Sequence, residues 1–254
     1  MEARWTFSAG SHMSSPITRR TVLGGLAVTM LGTGVRLASA GEAQNAQELV
    51  DKARATFNDF VADKVMQPFR DLLKQARGVY IAPQVFRGAF IFGAAGGTGI
   101  LVAKDEQDRK WYGPAFYTIG EASFGFQAGG EASEIVLLVM TQRGVTALLG
   151  TNIKLGGDVS LVAGPFGGGV RGETAGISVD IVSFARSKGL YGGVSVQGAV
   201  VAVRDSLNGA YYRPDTTPAD ILVSHTVTSP QAAPLLKTIS RAAVGASVAS
   251  VKKK

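Results

Sequence analysis

His225 is the only histidine beyond the first dozen residues, and it lies in the polar connection Val-Ser-His-Thr-Val-Thr-Ser-Pro from Val223 to Pro230. A Ser-His-Asp triad would have to be built on it, yet no Gly-x-Ser-x-Gly elbow presents a nucleophile. His225 reads as a solvated loop residue. His12 is the only other histidine and cysteine is absent, so the chain can assemble neither a histidine cluster, a thiolate metal site nor a disulfide.

Carboxylates offer little more. Asp105, Glu106 and Asp108 sit among Lys104, Arg109 and Lys110 and predict a solvated turn; EF-hand spacing with its terminal glutamate is missing. Glu121, Glu131 and Glu134 could meet across a sheet. A pocket joining two of Glu121, Glu131, Asp158 and Asp180 would supply the acid–base pair an enzyme needs, but no spacing in the sequence brings them together. Gly96, Gly97 and Gly99 lack dinucleotide spacing and a Lys-Ser/Thr pair, and they lead into a strand-like run rather than a helix, so they predict a sheet bend. Gly167 to Gly169, after Pro165, read as a mobile loop. The expectation is a chain with no catalytic residue, no metal and no cofactor.

Cations remain as the chemistry-bearing groups. Lys74, Arg77 and Arg87 straddle the first expected strand, and Arg186 and Lys188 flank a turn. No acid follows Asp220, whereas Lys237, Arg241, Lys252, Lys253 and Lys254 contribute +5. From Gly41 onward 22 basic residues face 18 acidic ones, a net +4, and without the three terminal lysines the balance is +1. The basic character therefore belongs to the ends of the chain and does not point to a nucleic-acid groove.

The elements that must position these residues change at Gly78. Before it, Leu49, Val50, Ala53, Phe57, Phe60, Val61 and Val65 recur at helical spacing, and a second helix begins near Pro68 and runs through Phe69, Leu72, Leu73 and Ala76. The six cations of this lead are matched by six acids, so Phe57, Phe60 and Leu72 are expected to pack on a sheet rather than to enter a membrane. After Gly78, short runs such as VYIA, AFIFGA, GILVA and IVLLVM alternate with glycine and polar clusters and read as strands. Ile135 to Met140 and Ala199 to Val203 are apolar on both faces and predict buried strands. Turns are expected at Gly156-Gly157-Asp158 and, as a hairpin, at Asn208-Gly209. Pro234, Leu235, Leu236, Ile239, Ala243 and Val244 predict a closing helix. The fold class is α+β: a glycine-rich, mainly antiparallel sandwich or barrel-like sheet with N-terminal amphipathic helices and a C-terminal helix. An outer-membrane barrel is disfavoured by the two-sided apolar runs and the helices at both ends.

The first residues carry addresses rather than fold. Residues 1–13 end in Gly-Ser-His-Met and read as a vector-derived leader. Residues 14–40 read as a twin-arginine export signal: Arg19-Arg20, a glycine-broken apolar run from Val22 to Leu37, then Ala38-Ser39-Ala40. That run is shorter than the roughly 20 residues a spanning helix needs. Residues 41–254 are then one exported domain with a basic tail, expected in the periplasm or cell envelope and peripherally associated with membrane.

Five stretches in order resemble the SYLF domain family: ARGVYIAPQVFRGAFIFGAAGGTGILVAK from Ala76, WYGPAFYTIGEASFGFQAGGE from Trp111 with its Trp-x-x-Pro centre, LGGDVSLVAGPFGG from Leu155, ARSKGLYGGVSVQGAVV from Ala185, and the tyrosine pair Tyr211-Tyr212. The resemblance covers Leu73 to about Leu222. It implies binding of phosphoinositides and other anionic phospholipids without catalysis, and some members also bind actin; for an exported bacterial chain, an anionic phospholipid surface is the expectation carried over. Lys74, Arg77, Arg87, Arg186, Lys188, Lys237, Arg241 and Lys252 to Lys254 are the candidate lipid contacts. The competing expectation is a protein-interaction or structural module of the envelope that uses aromatics near Trp111, Tyr112 and Tyr117.

Overall fold

Val79, Tyr80, Ile81 and Ala82 alternate between two hydrophobic cores, and all four are buried. Strand side chains alternate faces with a period of two, so a strand apolar at every position must be covered on both sides. The computed structural model describes residues 30–89, 92–124, 129–164, 179–187, 190–192 and 196–245 and realises this demand with one sheet. The chain divides into two units, Met1–Leu37 and Ala38–Lys254; the described part of the first is the backbone of residues 30–37, and the sheet with its helical cover belongs to the second.

The described residues open with helix α1 (Met30–Ala62), a short 3-10 turn and α2 (Gln67–Leu73). Four long strands follow, β1 (Gly78–Ala89), β2 (Phe92–Lys104), β3 (Trp111–Phe124) and β4 (Gly129–Val139), then α3 (Gln142–Leu148). Five short strands come next: β5 (Asn152–Lys154), β6 (Leu161–Ala163), β7 (Ile181–Ser187), β8 (Leu190–Gly192) and β9 (Val200–Val203). The described residues close with α4 (Asp205–Tyr211), α5 (Pro218–Leu222) and α6 (Ala233–Ala243). The nine strands form a single sheet in the order β5-β9-β3-β2-β1-β4-β7-β6, with β8 also on β7. Every pairing is antiparallel except β6 with β7. The expected α+β class is realised as one helix-covered sheet rather than two sheets face to face.

One face lies under α1, α2 and α6. Ala46, Val50, Ala53, Phe57 and Phe60 recur every three or four residues and bury one stripe of α1 against Val79, Ile81, Ile100, Val102, Val136 and Leu138. Phe69 of α2 is the hub, its ring 6.0 Å from that of Phe57 and 5.3 Å edge-on from Phe184 on β7. Phe57 and Phe60 thus pack on the sheet, as their charge-balanced helix predicts. On the other face Tyr80, Leu101, Tyr117, Leu137 and Val139 meet Val145 and Leu148 of α3 and Ile221 and Leu222 of α5.

Glycines allow the sheet to bend where β1 carries a bulge. The β1 register shifts between Ile81 and Gln84, and a Cβ on Gly97 would stand 2.3 Å from the Gln84 carbonyl. One on Gly99 would stand 2.5 Å from the Tyr80 ring. These positions therefore belong to the strand interior, as the sheet-bend reading expects, and open no helix. Gly156 to Asp158 form the expected turn, with Gly156 at a φ of +77°.

Two expectations are corrected. Asn208 and Gly209 form no hairpin; they lie within α4. Asn208 is fully buried, and its carboxamide pairs with the Phe116 backbone on β3, accepting from the N–H at 2.9 Å and donating to the carbonyl at 3.2 Å. The side chain thus takes the place of a neighbouring strand where β9 has ended, and this tertiary demand outweighs the local turn preference. Nor is β9 covered on both faces: Val201 is buried but Val200 is exposed, and no β9 residue joins the core under α1. It lies one strand from the sheet edge, beyond that helical cover.

Asn208→Ala should lower stability by about 2 kcal/mol, because it leaves the Phe116 N–H buried without an acceptor. Urea unfolding monitored by circular dichroism checks this, with the midpoint falling at unchanged slope.

Candidate functional site

Arg186, central to a motif expected to meet lipid, is held by protein instead. It faces Glu134 across the β4–β7 register, and its Nη2 donates to Glu134 Oε1 at 2.6 Å and to Asp59 Oδ2 of α1 at 2.8 Å. Its Nη1 donates to the Tyr191 hydroxyl at 3.1 Å, and the guanidinium lies over that ring. Thr56 donates to Glu134 from the same helix face. The hydrogen bonds from Arg186 to Glu134, opposed by burial, raise the guanidinium pKa further above its already high ordinary value. Arg186 therefore latches α1 onto the sheet.

The other candidates divide by their partners. Arg77 pairs with Glu106 in the β2–β3 turn, and Lys74 with Asp71 at 2.8 Å within its own turn of helix. Arg87 is described by its backbone, which stands in register with Glu131. Lys188, Lys252, Lys253 and Lys254 lie outside the described residues, as does the Gly167–Gly169 loop. Lys237 and Arg241 occupy the outer side of α6, exposed and one helical turn apart, while Leu235, Ile239 and Ala242 face inward. Neither has a carboxylate partner among the described residues.

The acids do not converge. Asp180, just before β7 and fully buried, accepts from Arg143 Nε at 3.1 Å, from the Thr141 hydroxyl that caps α3, and from both the backbone N–H and the hydroxyl of Ser160. Burial opposes its ionisation, but these hydrogen bonds prevail and hold the carboxyl well below the ordinary carboxylate range. Asp158 accepts from the Lys154 N–H in a separate turn. Glu121 and Glu131 are described by backbone alone, on β3 and β4 with β2 and β1 between them. Asp105, Glu106 and Asp108 form the expected turn, with Asp108 accepting from the Tyr112 hydroxyl at 2.7 Å, which lowers its pKa to about 2.

His225 is a further correction. It adopts a φ of +52° and stacks on Tyr112, ring centres 3.4 Å apart, so an aromatic neighbour holds it where solvent was expected. Of the aromatics expected at a protein-contact surface, Trp111 and Tyr117 are instead buried in opposite cores, and Tyr112 alone is half-buried.

A feature the sequence did not disclose lies between α1 and the bulged part of the sheet. An open groove of about 360 Å³ is lined by Leu49, Lys52, Phe86, Thr98, Arg204 and Leu207, among others. Phe86 is 59% exposed. The β1 bulge shifts the side-chain alternation: Val85 joins the second core, and Phe86 emerges on the α1 side. Arg204 is part-buried, and its side chain donates to Thr98 Oγ1 at 2.9 Å. No described helix is long and apolar enough to cross a membrane.

Among the described residues the domain is a single mainly antiparallel sheet covered by helices on both faces. Residues 120–242 match the family model described as "Ysc84: Las17-binding protein actin regulator". The chain is 33% identical over 186 residues to Protein YSC84 of Saccharomyces cerevisiae, covering 71% of this chain and 38% of the relative. It is 32% identical over 185 residues to LAS seventeen-binding protein 3 of the same species, covering 71% and 39%. To human SH3 domain-containing YSC84-like protein 1 it is 32% identical over 170 residues, covering 66% and 49%. The chain belongs to the Ysc84 family, also called SYLF, and spans less than half the length of these relatives.

Asp180 has a folded pKa below its ordinary 3.8, so its stabilising contribution is complete above about pH 4 and fades as pH falls toward the folded value. Asp180→Asn should cost about 2 kcal/mol at pH 7 through loss of charge-assisted hydrogen bonds. The gap between wild type and variant should narrow as urea midpoints are followed from pH 7 to pH 2.

Proposed function

We propose that this domain binds anionic phospholipid at a membrane surface, without catalysis, as an exported bacterial member of its family. The observation that carries the reading is α6, whose inward side is locked into the core while Lys237 and Arg241 stand outward without carboxylate partners among the described residues. Lys252 to Lys254 follow in a stretch free of acid, so the C-terminal end adds further positive charge. Cations beside an anionic surface attract it with about 1 kcal/mol each at low ionic strength. Phosphoinositides are the head groups the wider family suggests, and phosphatidylglycerol or cardiolipin are those suited to an exported bacterial chain. Arg19-Arg20 and the apolar run behind them support export to the periplasm or envelope.

A second reading, a protein partner, is favoured by one observation: a relative is named LAS seventeen-binding protein 3, and others are named as SH3 domain-containing. A partner retained in pull-down after Lys252 to Lys254 are deleted, with no vesicle binding, would support that reading instead.

Cosedimentation with phosphatidylglycerol vesicles should be strong at low salt and weak at high salt, and negligible with phosphatidylcholine. Replacing Lys237 and Arg241 together by glutamine should weaken it roughly 30-fold at low salt. Equal binding to both vesicle types, or none to either, would overturn the proposal.

A further inference from the structure

The groove beside α1 has the chemistry of a ligand site that none of the rim cations shares. Its one carboxylate, Glu48, stands 3.8 Å from Lys52 one turn along the helix, which leaves Arg204 as the surplus charge. Arg204 is part-buried and has no carboxylate partner among the described residues; Thr98 Oγ1 accepts a single hydrogen bond from it. Its remaining N–H donors form a planar fork of the kind that takes phosphate oxygens in pairs. Arg186, with comparable burial, shows what this chain does with a guanidinium whose role is structural: two carboxylates close on it.

The wall opposite the charge is apolar. Phe86 is an exposed aromatic ring on β1, and Leu49 and Leu207 line the same groove. A free phosphate would satisfy Arg204 and leave Phe86 in water. An anion with an attached apolar chain satisfies both, and about 360 Å³ lies within the range of sites that take small molecules.

We propose that this groove binds a single anionic phospholipid molecule, its phosphate on Arg204 with Lys52 nearby and the start of its acyl chain against Phe86. The proposal rests on the lipid-binding reading of the domain but concerns one molecule held in a groove, not a bilayer met by α6. Full-length protein labelled with nitrogen-15 would be titrated with dihexanoyl-phosphatidylglycerol below its micelle concentration, and amide shifts followed at Thr98, Arg204 and Leu207.

Saturable shifts are expected there, with an affinity at least tenfold above that for glycerol phosphate or dihexanoyl-phosphatidylcholine. Arg204→Gln should weaken binding tenfold or more, and Phe86→Ser at least threefold. Both side chains lie outside the packed cores, and an unchanged thermal transition would confirm that each variant folds. Equal affinity for glycerol phosphate would overturn the proposal in favour of a simple phosphate site, and an unaltered affinity in Arg204→Gln would overturn it outright. Wild-type protein that sediments with phosphatidylglycerol vesicles but shows no saturable shift would overturn the groove alone. Absence of both would overturn the groove and the surface reading together.

Discussion

Two-sided burial of β1, β2 and β4 is the constraint on which the other features depend. At Val79 to Ala82, Ile100 to Ala103 and Ile135 to Val139 every side chain is inside, so along these stretches neither face of the sheet is left for a ligand. Each buried methylene contributes roughly 0.8 kcal/mol, which makes these strands the main apolar reservoir and the helices on either side obligatory cover. Charge is thereby driven to the rim: to the strand ends, to the turns and to the outer sides of α1 and α6. What the domain can bind is decided at those margins.

The same constraint explains how the polar residues within it are used. Asp180, Asn208 and the Arg186–Glu134 pair each sit where a strand stops or a helix docks, and each satisfies backbone or side-chain groups that would otherwise be orphaned. Buried polar groups without partners are costly, so the chain concentrates its hydrogen-bonding side chains at junctions. Asp180 joins α3, β6 and β7 through one carboxylate. Its surrounding donors occupy both carboxylate oxygens, which is how a buried acid is kept ionised.

Much of the fold was legible because burial writes itself into periodicity. The stripe of α1 from Ala46 to Phe60 and the two-sided run from Ile135 to Val139 were readable, since each is decided by local spacing against a large core, whereas Val65 and Met140, read with them, lie beyond the ends of α1 and β4. Asn208 was not, because its turn-forming preference is local while its pairing with Phe116, 92 positions away, is tertiary. Phe86 and Arg204 escaped for a related reason: a bulge reversed the side-chain parity of β1, and parity after a bulge cannot be counted from the sequence. Lys237 and Arg241 were legible as cations, but that they lack a carboxylate partner among the described residues required the packing of α6.

Sequence alone also could not separate Arg186 from Arg204, two part-buried arginines with different partners. What separates them is the count of carboxylates within reach: Glu134 and Asp59 close on the first, and none among the described residues closes on the second. Desolvating a guanidinium costs free energy that a carboxylate partner offsets, so a part-buried arginine left with one hydroxyl is maintained at a cost to the free protein. A phosphate would offset that cost only in the bound state, and the difference would appear as affinity. Surface cations such as Lys237 begin fully hydrated and gain less per contact, contributing breadth and salt sensitivity rather than selectivity. On the proposed reading, the two kinds of cation would divide the work, α6 meeting an anionic surface and the groove distinguishing its molecules.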